Sequence, residues 1–261
     1  MNELNSNLTP NPPNSPSADN AVDSRRVDGG QGWNWIAQGW DLFKKSPGIW
    51  IANILIFCGL YIVLQMVPIV GAIAVHVLWP VMMGGLMLGC RALERNEKLE
   101  FAHLFAGFNT NTSQLIMVGV FATIAGLLIG GIVVLVIFLA GGGTLIAAAL
   151  GGTVAALLAG GAFLIMALFG ILLAALLAVP LMMALWFAPA LVVFRNAQAM
   201  HAMRLSFSAC LENLMPFLIY GFATFVLAIV ASIPAFLGWL VLLPVLVASI
   251  YTGYRDLFPE T

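Results

Sequence analysis

Charge is what this sequence has least of. Lys, Arg, Asp and Glu make up 8% of its 261 residues, against roughly 25% in an ordinary soluble domain. Hydrophobic residues make up 62%, so a water-soluble fold has too few polar side chains to cover itself. The formal net charge is −1, which excludes a bulk electrostatic pull toward nucleic acid. Cysteine is scarce too. Cys58, Cys90 and Cys210 are separated by apolar runs and match no CxxC or zinc-ribbon spacing. They read as small apolar fillers, not as disulfides or metal ligands.

Recognisable chemistry is also missing. No GxSxG, Walker loop or GxGxxG stands before a helical pattern, and GGGT at 141–144 lacks the Lys of a phosphate loop. His76, His103 and His201 lie far apart with no HExxH spacing. No carboxylate pair or nucleophile–base pair suggests itself, so the sequence gives no catalytic, cofactor or metal residue and reads as a non-enzyme. Charged residues are absent from the middle of every apolar run, which argues against proton or sodium coupling through a membrane carboxylate.

What the chain does have is apolar length. A spanning helix needs about 20 apolar residues. Gly48 to Val67, Val70 to Cys90, Phe217 to Ile233 and Ala235 to Tyr251 each qualify, and a nearly uncharged stretch runs from Leu115 to Phe194. The ten basic residues choose the count within that stretch. Arg25, Arg26, Lys44, Lys45, Arg91, Arg95, Lys98, Arg195, Arg204 and Arg255 fall only in the N-terminal region, two connectors and the C-terminus. Basic residues flank cytoplasmic ends, so all these segments belong on one side and an even number of spans lies between 115 and 194. Two is the economical choice. The reading is an all-α polytopic bundle of about six spans in three hairpins, with both termini in the cytoplasm.

Residues 1–31 form a separate region, rich in Asn, Pro and Ser, with no apolar cluster to offset its ordering entropy. It reads as a disordered cytoplasmic tail and not as a signal peptide. Pro10, Pro13 and Pro16 have PxxP spacing without an anchor residue, which a plain tail explains.

The hairpins repeat. Pro80-Val-Met-Met-Gly-Gly-Leu-Met-Leu-Gly89 aligns without gaps on the segments starting at Pro180 and Pro244, each with Gly or Pro nine positions on. Arg91 and Leu93 continue in register to Arg255 and Leu257. An amphipathic stretch precedes each hairpin: Trp33, Ile36, Trp40 and Phe43; then Phe101, Phe105 and Phe108; then Met200, Met203, Phe207, Cys210 and Leu214. Such helices belong in the cytoplasmic interface, with Trp33 and Trp40 as headgroup-depth anchors. The units are 33–93, 99–191 and 197–257, all within one transmembrane domain at 32–258. The middle unit is enlarged by a Gly/Ala-rich insertion at 141–161. That block is either a re-entrant hairpin or the extended ends of the flanking helices, since exposed irregular backbone is not tolerated in lipid. Gly85xxxGly89 and Gly126xxxGly130 read as close helix packing.

The segments GWNWIAQGWDLFKKSPGIW, LEFAHLFAGF, WFAPALVVF and SFSACLENLMPFLIYG, through SIYTGYRDLF, together resemble an uncharacterised family of proteobacterial multi-pass inner-membrane proteins. WFAPALVVF, an amphipathic helix and NxxPF before a span are more loosely similar to the membrane domains of glycerophosphodiester phosphodiesterases. The resemblance implies a fold and an inner-membrane location, without an activity.

The polar residues that remain carry the functional expectations. Lys44, Lys45, Arg91, Arg204 and Arg255 are candidates for a basic ring that contacts anionic lipid. Pro80, Pro180 and Pro244 are candidate helix kinks. His76, one turn before Pro80, and Asn53 form a possible in-membrane polar site, each read as bonding a neighbouring helix. The function this supports is a scaffold or accessory protein that binds anionic phospholipid or an unknown membrane-protein partner. The alternative is a transporter or lipid exporter with its path between the hairpins.

Overall fold

The computed structural model describes residues 24–259, and its regular elements are all helical. In chain order they are α1 (Gln31–Lys45), α2 (Pro47–Gln65), α3 (Val70–Glu94), α4 (Ala102–Phe105), α5 (Thr112–Trp186), α6 (Ala188–Arg195), α7 (Ala199–Glu212), α8 (Leu214–Ser232) and α9 (Trp239–Leu257), with a 3-10 turn at Ala106–Asn109. Six segments are long and apolar enough to cross a bilayer: Pro47–Gln65, Val70–Glu94, Thr112–Leu139, Leu157–Arg195, Leu214–Ser232 and Trp239–Leu257. The expected membrane bundle of three hairpins is what the chain forms. Helix is the required solution, because an apolar span can satisfy its backbone polar groups only internally. Local signals set the boundaries. Pro47 begins α2, where a missing N–H costs nothing. Asn96 and Asn196 follow α3 and α6 in the left-handed conformation, at φ 60° and 52°, which asparagine tolerates.

The charged segments bond to one another. Arg25 N donates to Leu257 O at 2.9 Å, and Val27 N to Asn213 Oδ1 at 2.9 Å. Lys45 Nζ donates to Leu93 O at 2.7 Å, Asn111 Nδ2 to Val192 O at 3.1 Å and Arg195 Nη2 to Phe258 O at 3.0 Å. The connectors and both described chain ends therefore meet at one end of the bundle, as the one-sided basic residues require. Residues 24–30 take part in this network, so the folded body starts before the expected boundary at residue 31. The rest of the expected tail, with Pro10, Pro13 and Pro16, lies outside the described residues.

The three units close into a ring, each short helix packing on the second span of the unit before it. Gly39 of α1 lies on α9, where a Cβ would stand 2.7 Å from Val245 O and 2.8 Å from Ser249 N. Gly107 of the 3-10 turn lies on α3, where a Cβ would stand 1.9 Å from Val81 O and 3.1 Å from Gly85 N. Aligning Pro80 with Pro244 superimposes Val81 on Val245 and Gly85 on Ser249, so the two contacts share a register. α7 closes the third junction on α5. Its buried Ala199, Ala202, Ser206, Ala209 and Cys210 repeat the i, i+3, i+7, i+10, i+11 spacing of Gly32, Trp35, Gly39, Leu42 and Phe43 on α1. Ser206 thus stands where Gly39 does. Its hydroxyl accepts from Phe187 N at 2.9 Å and donates to Met183 O at 2.6 Å. A side chain inserted into an i→i−4 ladder breaks the helix, and α5 ends at Trp186 with Pro189 starting the next turn.

The middle hairpin differs. α5 reverses at Gly152, whose φ of 69° and ψ of −164° only glycine adopts readily. Its arms face each other, with the Gly141 Cβ position 3.6 Å from Phe163 and that of Gly170 3.5 Å from Ile137. The 141–161 block therefore consists of the extended ends of the flanking helices. Thr112 to Gly152 corresponds to about 60 Å of helix, roughly twice the hydrocarbon thickness.

Candidate functional site

At the charged end the second spans of the three units converge around a cavity of about 400 Å³. α3 supplies Arg91 and Glu94, the residue capping it supplies Arg95, α6 supplies Phe194, and α9 supplies Tyr251, Tyr254 and Arg255. The i, i+3, i+4 spacing of Arg91, Glu94 and Arg95 puts all three on one face of the last turn of α3. The Arg91 guanidinium lies over the Phe194 ring, 4.4 Å from its centroid, and Tyr251 and Tyr254 flank that ring at 5.8 and 5.2 Å. Glu94 accepts from the Tyr251 hydroxyl and forms an ion pair with Arg255. Arg255 Nη2 also donates to Gln38 Oε1 at 2.6 Å, tying α1 to the site.

The charge balance of the cavity is unequal. Arg255 is matched by Glu94, and Arg195 nearby donates to Phe258 O and Pro259 O. Among the described residues, neither Arg91 nor Arg95 has a carboxylate partner. A stacked guanidinium keeps its in-plane N–H groups available, and these groups match the oxygens of carboxylate or phosphate. The site therefore presents two open cations beside an aromatic wall.

Not all of the expected ring is here. Arg91 and Arg255 both line the cavity, whereas Arg204 is exposed on α7 and is not among the residues lining it. Lys45 caps the end of α3 through Leu93 O and Asn96 Oδ1, and Lys44 pairs with Asp41 in its own helix at 2.8 Å. Trp33 and Trp40 are about half exposed and border an apolar cleft of about 510 Å³ with Val230, Pro234, Val241 and Leu242. Pro80, Pro180 and Pro244 lie inside α3, α5 and α9.

The in-membrane polar pair is corrected on both members. His76 is exposed, and its Nδ1 lies 2.7 Å from Ala72 O of its own helix, not a neighbour's. Asn53 is fully buried, yet neither its Oδ1 nor its Nδ2 has a hydrogen-bond partner among the described residues, and one turn earlier Trp50 Nε1 has none either. Gly85 packs tightly, its Cβ position 2.4 Å from His103 O, but Gly126 and Gly130 have nothing within 4 Å. Sequence reading missed Arg95, Glu94 and Ser206. Arg95 and Glu94 share the last turn of α3 with Arg91. In isolation that spacing suggests local helix pairs, not a bond across 161 positions.

No family model matches the chain, and no solved structure matches it. It is similar to a probable inner membrane protein of Burkholderia thailandensis, at 28% identity over 227 residues covering 84% of this chain and 80% of that one. Its six helices long and apolar enough to cross a bilayer make it a multi-pass membrane protein, similar to one named as a probable inner membrane protein. The looser likeness to phosphodiesterase membrane domains finds no support in these comparisons.

Proposed function

We propose that the chain is a non-enzymatic scaffold or accessory protein of the bacterial inner membrane that binds anionic phospholipid headgroups in the cavity between α3, α6 and α9. One observation carries the reading: Arg91 and Arg95 stand in an aromatic-walled cavity where, among the described residues, the one lining carboxylate, Glu94, is paired with Arg255. Both chain ends are assigned to the cytoplasm because the basic segments share one end of the bundle. Juxtamembrane Lys and Arg attract anionic lipid by about 1 kcal/mol each. The exposed faces of the spans are where a membrane-protein partner would sit.

Transport is the competing reading, and the unbonded amide of Asn53 is what favours it. Against it, the space between helices at the charged half is filled by Trp50, Val81, Leu86, Leu115, Phe187 and Leu191, all buried. The test is purification in mild detergent with mass spectrometry of bound lipid. Arg91→Ala with Arg95→Ala should lower co-purified cardiolipin and phosphatidylglycerol several-fold, and Arg255→Ala should lower it less because Glu94 already holds that charge. Equal lipid in wild type and the double variant would reduce these arginines to topology anchors. Reporter fusions at residues 97 and 150 test orientation, with residue 97 cytoplasmic and 150 on the opposite side.

A further inference from the structure

We infer that this cavity selects phosphomonoester headgroups over phosphodiesters, with Glu94 as the built-in counter-ion that leaves two arginines open; the inference rests on the anion-binding reading above. Among the described residues, three guanidinium groups and one carboxylate line the cavity. The carboxylate is committed: Arg255 pairs with it and the Tyr251 hydroxyl donates to it. Arg255 is held further by Gln38, so Arg255 cannot turn to a ligand without breaking both contacts. Arg91 and Arg95 remain, one helical turn apart, so their Cβ atoms are about 6 Å from each other. That separation lets both side chains reach one tetrahedral phosphate.

Charge matching then decides between the headgroup classes. A phosphodiester carries one negative charge and leaves one arginine unmatched. A phosphomonoester carries about −1.5 to −2 at pH 7 and offers three strong acceptor oxygens. The difference of up to one charge corresponds to about 1 kcal/mol near a membrane surface, on the order of fivefold in affinity. Among the described residues, the charged and titratable groups that line the cavity with Arg91 and Arg95 are Glu94 on α3 and Tyr251, Tyr254 and Arg255 on α9. None is a histidine, the side chain whose ordinary titration falls between pH 5 and 8. The phosphomonoester itself supplies the pH dependence, because its second proton binds near pH 6.

The experiment uses the full chain in phosphatidylcholine nanodiscs doped with equal mole fractions of phosphatidic acid or phosphatidylglycerol. Bound lipid is counted by native mass spectrometry at pH 7.5 and 5.5. Phosphatidic acid should be retained about fivefold over phosphatidylglycerol at pH 7.5, with the preference shrinking at pH 5.5. Glu94→Gln should widen the preference, because it leaves Arg255 as a third open cation that acts on two negative charges in the monoester and on one in the diester. Should that variant fail to elute as a single species, Arg95→Gln replaces it: one open charge is lost, and the preference should fall. Equal retention of the two lipids in wild type, both lost in the Arg91→Ala, Arg95→Ala variant, overturns the selectivity and leaves anion binding standing. Retention that ignores the arginines overturns both. Glycerol 3-phosphate added in solution separates the sources. Displacement of phosphatidic acid assigns the site to the phosphomonoester group wherever it is carried, and no displacement assigns it to the lipid.

Discussion

The last span and the two arms of the middle hairpin are built from similar residues, yet the protein treats them oppositely. In α9, 61% of the apolar window is buried; in the two arms of the middle hairpin the figures are 0% and 6%. The less buried segments are also the more apolar ones, with mean hydropathies of 2.8 and 2.9 against 1.3. In water this ordering would be inverted. In lipid the exterior is as apolar as any core, so helices associate through close backbone approach and hydrogen bonds. α9 has both. Gly39 lets α1 touch its backbone, Ser249 bonds the Tyr220 hydroxyl at 2.8 Å, and Thr252 donates to Trp35 O at 2.9 Å. The middle arms offer Leu, Ile and Ala, which lipid solvates equally well.

The largest effects should fall where the ring closes. Gly39→Leu and Gly107→Leu each drive a side chain into the backbone of α9 or α3. Overpacking costs about 1–3 kcal/mol and more when backbone must move, so both variants should lose most of their folded yield in detergent. Gly126→Leu, with open space around it, should leave the melting temperature unchanged within error. A similar loss for Gly126→Leu would mean that a surface outside this chain packs there.

Ser206→Ala is the next step down. It leaves Phe187 N and Met183 O without the hydroxyl that bridges them, a loss of about 1–3 kcal/mol. Ser208→Ala, whose hydroxyl reaches Glu212 Oε1 at only 3.4 Å, should cost less than about 0.5 kcal/mol. A thermal-shift comparison of the two in one detergent decides it, and equal losses would remove Ser206 as the reason α5 stops at Trp186.

Asn53 should reverse the sign. An amide buried without partners carries a desolvation penalty of about 1–3 kcal/mol, so Asn53→Leu should be neutral or stabilising by thermal shift. Destabilisation beyond about 1 kcal/mol would show that this amide is bonded in the membrane after all, and would strengthen the transport reading.

The difference between these residues also shows what a sequence can and cannot convey. Spans, turns and the sidedness of charge are local, and hydropathy together with ten basic residues was enough to read six helices in three hairpins. The short helices were legible for the same reason, since the burial stripe of α1 is a 3.6-residue period. Their partners were not. Nothing along the chain says that α1 lies on α9, that Ser206 enters the ladder of α5, or that Glu94 answers Arg255 and not an arginine of its own turn. Those facts depend on which helices are neighbours, and periodicity is silent on it. The repeat came nearest, because equal positions in related hairpins face equal surroundings. It put Arg91 and Arg255 at equivalent positions of two hairpins, and the cavity holds both but not Arg204.

The smallest expected effect is an absence of reaction at Cys210. This thiol lies outside the spans, on the buried face of α7, with Sγ 3.6 Å from Met183 O. Burial penalises the thiolate and pushes its pKa up to about 12, against a hydrogen bond with Ser206 that acts in the other direction. The thiolate is the reactive form, so at pH 8 an intact ring leaves almost none at this position. Maleimide labelling at pH 8, read by peptide mass spectrometry, should therefore miss Cys210 in the native protein and reach it after denaturation. The same measurement on Ser206→Ala sharpens the contrast between junctions. That change removes the favourable bond and would lower reactivity further if α7 stays docked, whereas loss of docking exposes the thiol and raises it. Rapid labelling of Cys210 in the native protein would mean that α7 leaves α5 readily, and that the third junction of the ring is the weakest.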